Sequence, residues 1–172
     1  MKSRIPLVLI TDVLADRTAV LLDSFASERP SEGVVYWFGV VDNAFAVVTT
    51  LVVPDAVAEI RGVRTSVEAN ANVVEAMAGT PLVLVGQAHS HPSSDVSHSV
   101  VDDRETFARF EGAISVVVPW FGRYGFDLTK CGVHRHIGGR FERAGAPHEH
   151  LRVVPGLLDF RRAKELRRGH GA

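Results

Sequence analysis

The residues able to do chemistry are concentrated in Gln87-Ala88-His89-Ser90-His91-Pro92 and the following Ser93-Ser94-Asp95-Val96-Ser97-His98-Ser99-Val100-Val101-Asp102. Histidines at i and i+2 near the end of a strand project from one face, so both imidazoles can reach one metal ion. Pro92 ends the strand after the pair, and a polar loop returns the Asp102 carboxylate. Two neutral imidazoles and one carboxylate leave a zinc ion open at its fourth position, the arrangement of a catalytic site rather than a structural one. Water held there has its pKa lowered to about 7 and becomes a nucleophile at neutral pH. Ser99 and Asp102 also have the spacing of a helix capping box, a role compatible with metal binding.

Such a site needs a strand to present the histidines and a helix to return the carboxylate. Ile5 to Ile10 reads as a strand, followed by a helix over 12–27 with Thr11 or Asp12 as N-cap and Leu14, Leu21, Leu22 and Phe25 at helical spacing. Pro30 breaks that helix. Val34–Val41 and Phe45–Val53 read as a hairpin turning at Asp42-Asn43 and ended by Pro54. Thr65 and Glu68 have capping-box spacing ahead of a second helix that ends at Gly79, and Leu82 to Val85 reads as a buried strand. Ser99 to Glu111 reads as a third helix, Ala113 to Pro119 as a strand, and Tyr124 to Ile137 as one or two more. Strands separated by helices make the fold class α/β or α+β. From Gly138 the chain is richer in Gly, Arg and His, and Arg161, Arg162, Lys164, Arg167 and Arg168 lie on a short basic helix in this reading.

The chain has 172 residues, 46% hydrophobic and 23% charged, which excludes a disordered or collagen-like protein and suffices for one buried core without disulfides. A net charge of −1 offers no global attraction to nucleic acid or to an anionic membrane. The single cysteine, Cys131, cannot form an internal disulfide, so the expected compartment is the cytoplasm. Lys2 and Arg4 precede an apolar run that Thr11 and Asp12 stop short of a secretory signal, and no stretch approaches the roughly 18 apolar residues of a membrane span. The expectation is a mature, soluble chain.

His89-x-His91-Pro92, six residues, then Ser99-x-x-Asp102 resembles the H-x-H-P-x6-S-x-x-D motif of the JAMM (JAB/MPN) metalloproteases, in their prokaryotic JAB-domain form. The element order extends the resemblance over residues 5–137. It implies a mixed β-sheet flanked by helices, of cytidine-deaminase-like architecture, over 1–140, with 141–172 as a C-terminal extension. The family's catalytic glutamate lies near the start of the strand after the first helix, typically seven residues before a glycine. Glu32 with Gly39 has that spacing, although Val35 stands where many members carry glycine; Glu28 is the alternative. The resemblance then implies that His89, His91 and Asp102 hold one zinc ion per chain. Glu32 would carry a proton from water to the leaving amine, and Ser99 would donate a hydrogen bond to the oxyanion. It further implies a peptidase or isopeptidase acting at the C-terminus of a ubiquitin-like or sulfur-carrier protein, with E1-like or E2-like conjugation proteins as further partners. Two other branches are a non-catalytic MPN scaffold, against which the full ligand set speaks, and a RadC-like DNA-repair-associated protein. The short chain, near-neutral charge and lack of a helix-hairpin-helix module speak against the latter. Neither nucleic acid nor membrane is an expected partner.

Other residues carry weaker signals. His134-Arg135-His136 and His148-Glu149-His150 repeat the H-x-H pattern without a spaced carboxylate, and Cys131 with His134 lacks the C-x-x-C partner of a structural zinc site. His98 reads as solvent-facing, although it lies close enough in sequence to border the site. Trp120, Phe121, Tyr124 and Phe126 read as core and hairpin packing, and the basic tail as a solvated helix face.

Overall fold

A computed structural model describes residues 6–157. The basic helix expected between Arg161 and Arg168 lies outside the described residues. Strand β1 (Leu7–Thr11) leads into helix α1 (Asp12–Phe25), whose first turn is capped by Thr11 Oγ1 accepting from Leu14 N–H at 3.2 Å. The hairpin of β2 (Val34–Val41) and β3 (Phe45–Val52) follows. A small two-stranded ribbon, β4 (Val57–Glu59) and β5 (Gly62–Arg64), comes next; strands of three residues carry too little alternation to be read from sequence. Helix α2 (Val67–Met77) is capped by Ser66, one residue after the Thr65 expected for that role. Then come β6 (Val83–Ser90), the short helix α3 (Val100–Glu105), β7 (Ile114–Val118), β8 (Gly132–Ile137), β9 (Arg140–Arg143) and β10 (Leu151–Val154).

Eight strands form one mixed sheet in the order β10-β1-β3-β2-β6-β7-β8-β9. Central strand β2 is buried on both faces from Val34 to Phe38, hence its continuous apolar run. The pleat sends Val35 and Trp37 toward the cluster containing Ala15 and Leu22 of α1, and Val34, Tyr36 and Phe38 toward Val73 of α2. Helices therefore cover both faces. At Gly39 the β2–β3 register shifts, and a Cβ there would run into the Val47 carbonyl. No helix among the described residues is long and apolar enough to cross a membrane.

Three expectations need correction. The third helix ends at Glu105 rather than Glu111, because Thr106 leaves helical geometry at ψ 127. Residues 124–131 are turns rather than a strand, with Gly122 and Gly125 at positive φ. The boundary placed at residue 140 falls at the start of β9, in the β8–β9 hairpin, and the sheet continues beyond it. β10 pairs in parallel with β1, setting Leu151 opposite Val8, and Leu151 is 0% exposed. The buried Arg135 guanidinium reinforces this closure by donating to the carbonyls of Gly112, Pro6 and His150. Leu151→Ala is therefore expected to cost about 2–5 kcal/mol, as for other buried leucines. Urea denaturation measures this; a loss under about 1 kcal/mol would place β10 outside the cooperative unit.

Candidate metal centre

β2 and β6 run antiparallel with Val34 opposite His89, and Ser90 N–H continues the ladder to the Gly33 carbonyl at 3.0 Å. Glu32 precedes Val34 by two residues and lines one cavity with His91. Because alternate residues share a face, Glu32, Gln87, His89 and His91 all belong to the α2 side of the sheet. Helix α3 then returns Asp102 to the same place. Among the described residues, only His89, His91 and Asp102 form a group of ligand-type side chains close enough to hold a metal ion, with ligand atoms within 4.8 Å of one another.

His89 Nε2 lies 3.6 Å from Asp102 Oδ1, and His91 Nε2 lies 3.4 Å from Asp102 Oδ2. The His91 tautomer follows from its other nitrogen, since Nδ1–H donates to the Asp95 carbonyl at 2.8 Å and Nε2 is left to face Asp102. His89 is 2% exposed and neither of its ring nitrogens has a hydrogen-bond partner among the described residues. Burying a polar ring without partners is costly, and a cation shared with His91 and Asp102 relieves that cost. The residues present thus fit a metal ion. The backbone around His91 is held by a strained turn: Trp120 and Phe121 have φ of 56 and 60, Phe121 N–H donates to the His91 carbonyl at 2.8 Å, and Trp120 N–H to that of Ser93 at 3.2 Å.

Glu32 is 4% exposed and shares a cavity of about 380 Å³ with Arg61, His91, Pro92, Ser93, Asp95, Ser99 and Asp102. In the metal-free chain, burial pushes its carboxyl up to about 7; His91 opposes this and Asp102 adds to it. Burial also acts to raise Asp102, but the His89 and His91 imidazoles facing it overcome this and hold the carboxyl well below the usual range. Burial acts to lower His91, yet bonding to Asp102 and the Asp95 carbonyl leaves it raised. Glu28, the alternative to Glu32, is exposed beyond the end of α1. Ser99 Oγ accepts from Asp102 N–H at 3.0 Å while Asp102 Oδ2 accepts from Ser99 N–H at 2.6 Å, so the capping box and the ligand set use the same residues.

The curated relative y4jG of Sinorhizobium fredii, named a probable metalloprotease, is 36% identical over 115 residues, covering 63% of this chain and 68% of its own. The chain belongs to the JAMM (JAB/MPN) metalloprotease family. No family model matches the chain. A protein of Desulfitobacterium hafniense superposes with a TM-score of 0.67 at 14% identity, covering 88% of this chain and 95% of that one, so the two share a fold. A JAB1/MPN domain protein of Archaeoglobus fulgidus aligns over 77% of this chain and 93% of its own at 18% identity, with a TM-score of 0.46.

The remaining signals resolve differently. Cys131 is buried and its thiol is pushed up to about 12 by burial and by Asp127, which leaves it inert. His134 and His136 are buried in β8 without a carboxylate partner among the described residues. Phe121 is buried, whereas Trp120 and Tyr124 are exposed rather than in the core. His98 is the clearest correction: its side chain is 3% exposed, not solvent-facing. Gln87 carries no signal of its own in the sequence, although its place two residues before His89 on one strand face could have drawn attention to it.

Burial chiefly, reinforced by neighbouring histidines, lowers both His98 and His134 to about 4. Such a ring stays neutral in the fold while the unfolded chain takes its proton near pH 6.5, so each opposes folding as pH falls from about 6.5 toward 4. Ring-nitrogen NMR of the chelator-treated protein is expected to show both imidazoles still neutral at about pH 5. Half-titration of either near 6.5 would contradict this packing.

Proposed function

We propose that this chain is a zinc-dependent peptidase or isopeptidase acting at the C-terminus of a ubiquitin-like or sulfur-carrier protein. The observation that carries the reading is the buried Glu32 carboxylate in one cavity with His91, Ser99 and Asp102. The two-histidine, one-carboxylate donor set suits zinc with an open position. When bound, the ion supplies Lewis acidity, lowering the pKa of a coordinated water to about 7 and polarising a carbonyl oxygen.

The chain's own residues do the rest. Glu32, two residues before the Val34–His89 pair and in one cavity with His91, accepts a proton from the attacking water and delivers it to the leaving amine. Ser99 Oγ already accepts from Asp102 N–H, which leaves its O–H free to donate to the oxyanion. Arg61 at the ribbon turn lines both the site cavity and a neighbouring one of about 560 Å³, bounded by Arg29, Pro30, Ser31 and residues 58–61. This double cavity supports an extended tail as substrate, and a terminal Gly-Gly is narrow enough to reach the recessed histidines. E1-like or E2-like conjugation proteins are the partners that such a role would bring.

The test is cleavage of linear fusions and isopeptide conjugates of ubiquitin-like and sulfur-carrier proteins, with zinc and after chelation. Zinc-dependent release at the C-terminal glycine of at least one is expected. A zinc-loaded protein that cleaves none of them would overturn the substrate assignment.

A further inference from the structure

We propose that His98 is a positioning residue for Asp102: by bridging Ser115 of β7 to Asp103 of α3, it fixes the helix carrying the third ligand against the strands that carry the first. This rests on the reading of His89, His91 and Asp102 as a metal centre. The need for such a device follows from α3 itself. It has six residues, none of them buried, and packs chiefly against the ribbon strand β5, so neither a buried face nor its own length fixes it on the sheet. The Ser99–Asp102 capping box fixes the first turn internally but says nothing about where that turn sits on the sheet.

Two polar clamps supply the missing anchorage. At the C-terminal end, Gln87 of β6 accepts from Phe107 N–H through Oε1 at 3.2 Å, and its amide lies 3.4 Å from Thr106 Oγ1. Thr106 in turn donates to the Asp102 carbonyl at 2.6 Å. Nearer the N-terminus, His98 Nδ1–H donates to Asp103 Oδ1 at 2.7 Å, since a carboxylate only accepts. Nε2 then accepts from the Ser115 hydroxyl at 3.0 Å. Gln87 and Ser115 are cross-strand partners in the parallel β6–β7 register, so the two clamps spring from adjacent points of the sheet. The His98 ring is itself fixed, stacked on Phe141 at 4.6 Å and edge-on to His89 at 5.4 Å. One imidazole thus touches the first ligand, grips the neighbour of the third and ties both to β7.

The experiment separates clamping from space-filling. His98→Phe keeps the ring and loses both hydrogen bonds; Asp103→Ala breaks one bond at a half-exposed position, and Asp103→Asn retains an acceptor there. Zinc affinity, measured by chelator competition, is expected to weaken about 10- to 100-fold in His98→Phe and Asp103→Ala, the usual effect of losing an outer hydrogen-bond partner. Asp103→Asn should stay close to wild type, and the visible spectrum of the cobalt-substituted protein should change in the first two only. In the metal-free chain, amide exchange in α3 should accelerate in the same two variants while β2 and β6 stay protected. Wild-type affinity and wild-type α3 protection in His98→Phe would overturn the proposal. If His98→Phe does not fold, the Asp103 pair decides alone. Absence of zinc binding by the wild-type chain would instead overturn the metal centre, and amide exchange in the metal-free variants would still decide for or against the clamp.

Discussion

Glu32→Gln is expected to keep its fold and its metal while losing roughly 10²- to 10⁴-fold in turnover, the range for removal of a general acid-base group. Glutamine matches the carboxylate in shape, so the packing that leaves Glu32 4% exposed survives the change. What disappears is the capacity to accept and return a proton, because an amide does neither at neutral pH. Glu32 is not among the three side chains close enough to share an ion, so zinc content should not change. Glu28→Gln is the matched control: that side chain is exposed outside the cavity and its loss should leave turnover unaltered. The measurement is cleavage of a ubiquitin-like fusion by both variants, with zinc content and melting temperature on the same preparations. Full activity in Glu32→Gln together with loss in Glu28→Gln would move the proton-transfer role to Glu28.

The site is legible in the sequence because its signals are local. A strand end, a proline, a loop and a capped helix turn lie within one continuous stretch from Gln87 to Asp102, and their spacing is that of the motif the sequence resembles. Glu32 is distant in sequence, and only the family resemblance, through the spacing to Gly39, points to it. The structure gives each a physical place: Gly39 at the register shift where the Val47 carbonyl of β3 leaves no room for a Cβ, and Glu32 two residues before the pair Val34–His89. Features that depend on partners far along the chain are illegible. Leu151 is core only because β10 returns to β1, and His98 is buried only because Ser115 and Phe141 come from two later strands. A polar loop histidine and a short strand in a Gly- and Arg-rich segment look like surface until the sheet closes over them. Helix α3 is shorter than its sequence suggests for a related reason, since Thr106 gives up helical geometry while its hydroxyl bonds back to the Asp102 carbonyl.

If the centre holds zinc as proposed, loss of the metal, by chelation or by His89→Ala, is expected to abolish peptidase activity and to remove the thermal stabilisation that the ion would confer. Both ring nitrogens of His89 are buried and without partners among the described residues, so the native fold presents a preformed set of donors that the unfolded chain lacks. An ion that binds only the native state stabilises it by about 2.7 kcal/mol at about a hundred times its dissociation constant. In a chain of this size that is worth roughly 5–10 °C in melting temperature. His89→Ala should melt at the same temperature with zinc or with chelator. The effect is also pH-dependent with a definite sign. Binding requires a neutral His91; burial acts to lower the pKa of that ring, but its bonds to Asp102 and the Asp95 carbonyl leave it raised. A proton therefore begins to compete with the ion above about pH 6.5, and zinc affinity falls as the solution becomes more acid. Calorimetric scans of both proteins at about pH 8 and pH 5, each with zinc and with chelator, separate the effects of metal, mutation and proton. A zinc-induced shift in His89→Ala equal to that of wild type, or one undiminished in acid, would show that the ion binds elsewhere.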